Sequence, residues 1–227
     1  MGKPKDHYTN KASRTMIELI AINEAKPCTI RNCKTHRHGL NKLCGKHYRN
    51  KLYYGSPHGK KIRANMMTME RRLSTHIVQN NLNNELVQKG IDYFETWLSS
   101  VRVNIPGTLA ANHMGRLVDE EVTAETLFIE VLSLFLFNMR YPDAMDNNYP
   151  EVLQIALALQ VLSYTYHPEF GVKHINHLKT PPRVRKDVGK EIWFSLGKVL
   201  VEIGMVVEAR DEQREPKESS KALVIHS

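Results

Sequence analysis

The spacing of apolar side chains along the chain predicts a mainly α protein. Over 82–101 the apolar residues recur every three or four positions, which is the repeat of a helix with one buried face. The segment 123–139 is apolar on nearly all sides, so we expect it to be the central helix. Similar spacing predicts a helix over 149–164, another over 186–203 and a shorter one over 11–24.

The C-terminal end of the chain has a different pattern. Gly204 follows the last predicted helix and is expected to be its C-cap. Two runs rich in apolar residues, 205–209 and 222–225, then flank a very polar stretch. This arrangement predicts a short C-terminal β-hairpin.

Breaks in the pattern divide the 227 residues into four parts. Residues 1–24 form an N-terminal segment, and 25–59 form a small module that ends in Gly-Ser-Pro-His-Gly, a strong helix breaker. A linker helix is predicted over 60–81, followed by a helical body over 82–227 that is large enough to bury its own core. The N-terminus has no apolar leader and no apolar run is long enough to span a bilayer, so we expect a cytoplasmic protein.

Positive charge is concentrated in the first third of the chain. Residues 1–72 hold 17 Lys and Arg against 4 Asp and Glu, a net charge of +13, whereas residues 73–227 hold 15 against 20, a net charge of −5. No acidic residue occurs between Ala25 and Met69. Such a segment favours a polyanionic partner, most simply the backbone of a nucleic acid, and charge alone does not distinguish DNA from RNA. The alternative is that the basic segment only aids solubility or balances the acidic body.

The candidate phosphate contacts fall into two groups. The first lies in and just after the module and comprises Arg31, Lys34, Arg37, Lys42, Lys46, Arg49, Lys51, Lys60, Lys61 and Arg63. The second precedes the last predicted helix and comprises Arg183, Arg185 and Lys186.

The three cysteines of the chain all lie in the basic module, where they predict a structural Zn²⁺ site. Cys28 and Cys33 are five positions apart, and Cys44 precedes His47 by three. If residues 43–53 are helical, Cys44 and His47 project from the same face. Three thiolates and one imidazole complete a tetrahedral site with no open position. His36 or His38 could replace His47, and the alternative to a metal site is three ordinary buried cysteines.

The string from Cys28 to Pro57 resembles a zinc-knuckle module of phage and mobile-element proteins. The four ligands, together with Tyr48, Gly55 and Pro57, match that family in order and spacing. Lys42 stands where the family usually has glycine, and Asn50 where it usually has arginine. The resemblance covers about 30 residues. It implies a DNA-associated, phage- or mobile-element-encoded protein, in a family whose module often lies beside an HNH endonuclease domain.

Two short segments were candidates for such a nuclease site, Asn112-His113 and His174–His177. Neither has the flanking strand pair and metal-holding residues that HNH chemistry needs, so we expect no catalytic activity. The sequence therefore predicts a zinc-dependent DNA-binding protein with a regulatory or replication-associated role. An adaptor that binds a host protein through the helical body is the alternative, and a divergent HNH-type nuclease is a third. The body would supply dimerisation, a protein contact or a second DNA contact.

Overall fold

The structure, a computed structural model, describes residues 7–103, 117–118, 121–146, 149, 151–162 and 180–219. The chain divides into two compact units, Met1–Lys60 and Lys61–Ser227. The division lies one residue from the predicted end of the basic module, and the predicted segment 1–24 lies in the same unit as that module. None of the described helices has the length and apolar character needed to cross a bilayer.

The first unit contains two helices and a folded loop between them. Helix α1 spans His7–Glu24 and helix α2 spans Gly45–Tyr54. Within the loop, backbone hydrogen bonds join its two arms: the amide of Cys28 donates to the carbonyl of Thr35 at 3.0 Å, and the amide of Arg37 donates to that of Lys26 at 3.0 Å. Helix α2 ends at Gly55, whose φ of 82° lies in the left-handed region that glycine adopts without strain, as the predicted breaker requires.

The second unit is helical in its described part, which confirms the mainly α prediction. Its elements are a 3₁₀ turn at Ala64–Met67, α3 (Thr68–Asn80), α4 (Glu85–Val103), α5 (Ala124–Arg140), a 3₁₀ turn at Pro142–Ala144, α6 (Glu151–Leu162) and α7 (Pro182–Ser219). The predicted linker helix over 60–81 is present only from Thr68, and as α3 it packs against α5.

Helix α5 is the central helix, as its sequence predicted. It packs against α3, α4, α6 and α7, and eleven of its seventeen residues are buried. Thr123 caps its start, because the Thr123 hydroxyl accepts a hydrogen bond from the amide of Thr126 at 3.2 Å. Glu130 is buried on this helix and is held by Arg71 of α3 through two hydrogen bonds of 2.7 Å. This pairing compensates the cost of placing a carboxylate in an apolar core.

The predicted C-terminal hairpin is wrong over its first strand. Residues Met205–Ala209 lie inside α7, which continues through Gly204 to Ser219, and the second predicted strand, 222–225, lies outside the described residues. Gly204 does not cap a helix. A Cβ at that position would overlap the Sδ of Met139 on α5, so the glycine permits close approach of α7 to α5.

A second glycine of α7 provides a test of this packing. A Cβ on Gly189 would overlap the backbone carbonyl of Gln154 on α6, which cannot move away without displacing the helix. We expect Gly189→Ala to lower the free energy of unfolding by about 1–3 kcal/mol in chemical denaturation. Gly197→Ala is the control, because its Cβ meets nothing nearer than the Trp193 ring at 3.3 Å and should cost far less. Equal stability of the two variants would contradict the close contact of α6 and α7.

Candidate metal centre

A tight turn brings the first two cysteines to one side of the loop. The amide of Cys33 donates to the carbonyl of Ile30 at 3.1 Å, which closes a four-residue turn. Asn32, inside that turn, has a φ of 63°. Asparagine tolerates this left-handed conformation better than other residues with a Cβ, and this is the local reason why the chain can reverse between the two cysteines.

The start of α2 positions the other two ligands. Cys44 is the N-cap of α2, with an extended backbone (φ −70°, ψ 164°), and His47 lies in the first helical turn. The Sγ of Cys44 and the Nδ1 of His47 are 3.2 Å apart. The predicted helix over 43–53 is therefore confirmed with its start at Gly45, and the two side chains converge as the spacing of three residues required.

The two pairs of ligands meet at one point. The Sγ of Cys28 lies 3.5 Å from the Nδ1 of His47, and the Sγ of Cys33 lies 3.9 Å from that of Cys44. All four ligand atoms lie within 4.8 Å of one another. The four predicted side chains thus form a group that can hold a metal ion.

The two alternative histidines lie elsewhere in the loop. His38 has a side chain that is 62% exposed, and its Nδ1 is 3.8 Å from Glu24 Oε1. His36 is exposed and pairs with Pro27 in an isolated β-bridge. Among the described residues, the group of potential ligands therefore includes His47 and neither of these histidines.

Two neighbours of the ligands were not anticipated from the sequence. The hydroxyl of Thr35 lies 2.9 Å from the Sγ of Cys33. The ring of His58 packs edge-on against the ring of His47, with centroids 5.6 Å apart. Contacts of this kind orient metal ligands. The spacing of cysteines and histidines carries no signal for them, because they depend on how the loop and the 55–59 turn fold.

The thiol of Cys44 is easily deprotonated. Its burial raises the pKa, but hydrogen bonds from the Thr35 hydroxyl, from the thiol of Cys33 and from the amides of His47 and Lys46 together lower that pKa to about 6. The two amides belong to the first turn of α2, where unpaired N–H groups favour an anion. The lowered pKa favours the thiolate, which is the form that binds metal.

The first unit has almost no apolar core apart from the ligands. Among its described side chains, the buried apolar ones are Cys28, Cys44 and Pro57, whereas Met16 and Ile17 of α1 are about half or more exposed. Hydrophobic burial therefore supplies little of the free energy of folding of this unit. A bound metal ion contributes of the order of 10 kcal/mol or more in small modules of this kind.

Polar contacts attach the end of α1 to the loop. The side-chain amide of Asn23 donates to the carbonyls of Gly39 and Asn41, each at 2.8 Å, and the amide of Gly39 donates to the carboxylate of Glu24 at 2.8 Å. Arg37 completes the network by donating to the carbonyl of Pro27 at 3.1 Å and to Asn23 Oδ1 at 3.1 Å. The last turn of α1 is therefore attached to the loop between α1 and α2.

The predicted basic contacts of the first group are mostly on the surface. Nine of the ten are exposed, namely Arg31, Lys34, Lys42, Lys46, Arg49, Lys51, Lys60, Lys61 and Arg63. The tenth, Arg37, is half-buried in the network with Asn23 and Pro27. The guanidinium of Arg37 therefore stabilises the loop. The nine exposed residues are the ones that are accessible to a partner.

The second basic group does not form the predicted surface patch. Arg185 is only 8% exposed, so its burial does not favour the phosphate contact predicted for it. Lys186 forms an ion pair with Glu151 at 2.6 Å, and Arg183, although 92% exposed, lies 3.8 Å from Asp187. In a helix that packs on α6, every third or fourth residue turns inward, and Arg185 falls between the buried Val184 and Val188.

Comparison of the chain with family models, with curated proteins and with solved structures found no match. The resemblance to the phage zinc-knuckle family therefore stays a prediction from the residues that carry it. The two segments considered for a nuclease site, Asn112-His113 and His174–His177, lie outside the described residues.

The histidines provide a matched test of the ligand set. We expect His47→Gln and Cys33→Ser to weaken Co²⁺ binding by at least about tenfold, because each removes one of four ligands. His38→Gln should leave the affinity unchanged, since its ring lies beside Glu24. A spectrophotometric Co²⁺ titration measures all three. Equal losses in the two histidine variants would contradict the assignment of His47.

Proposed function

We propose that the first unit is a zinc-dependent module that binds a nucleic acid, most simply DNA, and that the protein is encoded by a phage or mobile element. The observation that carries the proposal is that the four-ligand group lies at the start of an exposed, strongly basic helix. A metal ion at this point would fix the orientation of α2. The helix would then present its cations as one rigid surface.

The donor set and its dimensions favour zinc as the metal. Three thiols and one imidazole are soft and borderline ligands, which suit Zn²⁺ rather than Mg²⁺ or Ca²⁺. With Zn–S bonds of about 2.3 Å and a Zn–N bond of about 2.0–2.1 Å, a tetrahedron has edges of about 3.8 Å between sulfurs and about 3.5 Å between sulfur and nitrogen. The distances of 3.9 Å (Cys33 to Cys44), 3.5 Å (Cys28 to His47) and 3.2 Å (Cys44 to His47) are close to these edges.

Helix α2 is the element best suited to contact the nucleic acid. Lys46, Arg49 and Tyr53 are three and four positions apart and so share one face of the helix. Lys46 and Arg49 are exposed. Tyr53 is half-buried and has the aromatic ring that stacking on a base or sugar needs. His47 lies outside this face, so metal binding and phosphate contact would use different sides of the helix.

Asn50, which replaces the usual arginine of the resembled family, has a structural role here. Its side-chain amide donates to the carbonyl of Pro57 at 3.2 Å, which attaches the 55–59 turn to α2. A phosphate contact from this position is therefore not part of the proposal. The cationic residues on either side, Arg49 and Lys51, are exposed and take its place in the surface.

The charge balance of the first unit supports a polyanionic partner. Residues 1–60 hold 13 Lys and Arg against 3 Asp and Glu, a net charge of +10. Close packing of like charges costs free energy in the isolated module, and a phosphate backbone relieves that repulsion. The Lys and Arg side chains would displace the counterions condensed on the phosphates, and release of these counterions would supply most of the affinity. The association constant should therefore depend strongly on salt concentration.

The dependence on salt gives the first test of the proposal. With about five to eight phosphate contacts, the logarithm of the association constant should fall with the logarithm of salt concentration at a slope of about −5 to −7. Fluorescence anisotropy of the zinc-loaded protein with duplex DNA, single-stranded DNA and RNA measures the slope for each. An association constant that does not change with salt concentration would contradict the proposal.

Charge reversal on α2 tests where the contact lies. The double substitution Lys46→Glu and Arg49→Glu should lower the affinity for DNA by at least about a hundredfold, because it removes two phosphate contacts and adds two repulsive ones. The control is the double substitution Arg72→Glu and Arg210→Glu, which makes the same change of charge at exposed positions of the second unit. If the control loses as much affinity as the α2 variant, only the overall charge of the chain matters and the assignment to α2 fails.

A further inference from the structure

One face of α7 carries apolar side chains that the fold does not use. Phe194 is 92% exposed, Met205 55% and Val201 40%. Together with Gly197 they are three and four positions apart, so they form a continuous row, which we call the α7 stripe. They line a shallow surface groove. An almost fully exposed phenylalanine in such a row is unusual on the surface of a folded monomer.

The stripe is distinct from the face of α7 that packs in the core. The inner face is formed by Val188, Ile192, Leu196, Leu200 and Ile203, all of which are buried. Helix α7 is therefore apolar on two faces, with one already covered by α4, α5 and α6. The apolar side chains of the outer face could be buried only against a further partner.

The charges at the two ends of the stripe are opposite. Lys190 lies one helical turn before Phe194, and Glu208 lies one turn after Met205; both are exposed. Along the stripe, a basic residue comes first, the apolar side chains follow and an acidic residue comes last. When a second copy of this surface is turned end to end against the first, each charged end meets the opposite charge.

We propose that the α7 stripe binds the α7 stripe of a second copy of this chain, with the two helices antiparallel. In this arrangement Lys190 of each copy lies opposite Glu208 of the other, and Gly197 lies opposite Val201. A parallel arrangement would place Lys190 against Lys190 and Glu208 against Glu208, so the charges select the antiparallel one.

The antiparallel arrangement follows a two-fold axis and is therefore closed. Each copy uses the same patch on the other, and no free stripe is left to extend the assembly. The two Phe194 rings, one from each copy, would supply the largest part of the buried apolar area. The Lys198–Glu202 pair, 3.8 Å apart on the edge of the stripe, would lie at the polar rim.

Sedimentation velocity of the full, zinc-loaded chain over a range of concentrations tests the proposal. We expect a monomer–dimer equilibrium for the unmodified protein and a rise of at least about tenfold in the dissociation constant for Phe194→Glu. Met69→Glu is the matched control, because Met69 is a 67% exposed apolar residue on α3 and lies outside the stripe. It should leave the dimer unchanged.

A charge exchange tests the antiparallel orientation. Lys190→Glu and Glu208→Lys should each weaken the dimer, and the double variant should restore it, because the exchanged pair again faces opposite charge. Far-UV circular dichroism of each variant verifies that the helices are intact. If the chain is monomeric at every concentration at which it is soluble, the proposal is overturned and the partner of the α7 stripe is a different protein. A dimer that Phe194→Glu leaves unchanged, or a double variant no stronger than the singles, would also overturn it.

Discussion

The convergence of three sulfurs and one imidazole nitrogen is the constraint on which the first unit depends. The residues around it are mostly basic and polar, and in the described part Cys28 and Cys44 are themselves two of its three buried apolar side chains, Pro57 being the third. Without a cation between the four ligands, neither hydrophobic burial nor charge balance favours the compact loop. Under the proposed function, a metal ion held by these four ligands fixes the position of α2 and so brings its cations together on one surface.

The second unit is stabilised in a different way. Helix α5 is surrounded by α3, α4, α6 and α7, and its one buried carboxylate, Glu130, is neutralised by Arg71. Close approach at Gly189 and Gly204 lets α7 pack on this core along most of its length. The two units thus differ in what is available to hold them together, a four-ligand group that can bind a metal ion in one and apolar packing in the other. Removing the metal should unfold the first and leave the second helical.

Much of this fold follows from the sequence because its signals are local. Helical spacing predicted α4 and α5 to within a few residues, and the spacing of Cys44 and His47 predicted their convergence. Gly204 was misread because a glycine that ends a helix and one that permits close helix packing have the same sequence signal. The burial of Arg185 was missed for a related reason, since the face of α7 that turns inward depends on its partner α6. Phe194 lies two positions from both Ile192 and Leu196, so the helical repeat already places it on the other face of α7, and the structure adds that this face is uncovered.

X-ray absorption spectroscopy at the zinc edge tests the central claim most directly, since it reports the ligands of the bound metal in the intact protein. The account predicts one zinc ion per chain with three sulfur neighbours at about 2.3 Å and one nitrogen neighbour at about 2.0–2.1 Å. A zinc ion surrounded mainly by oxygen or nitrogen, or purified protein in which the metal is absent and cannot be introduced, would contradict it.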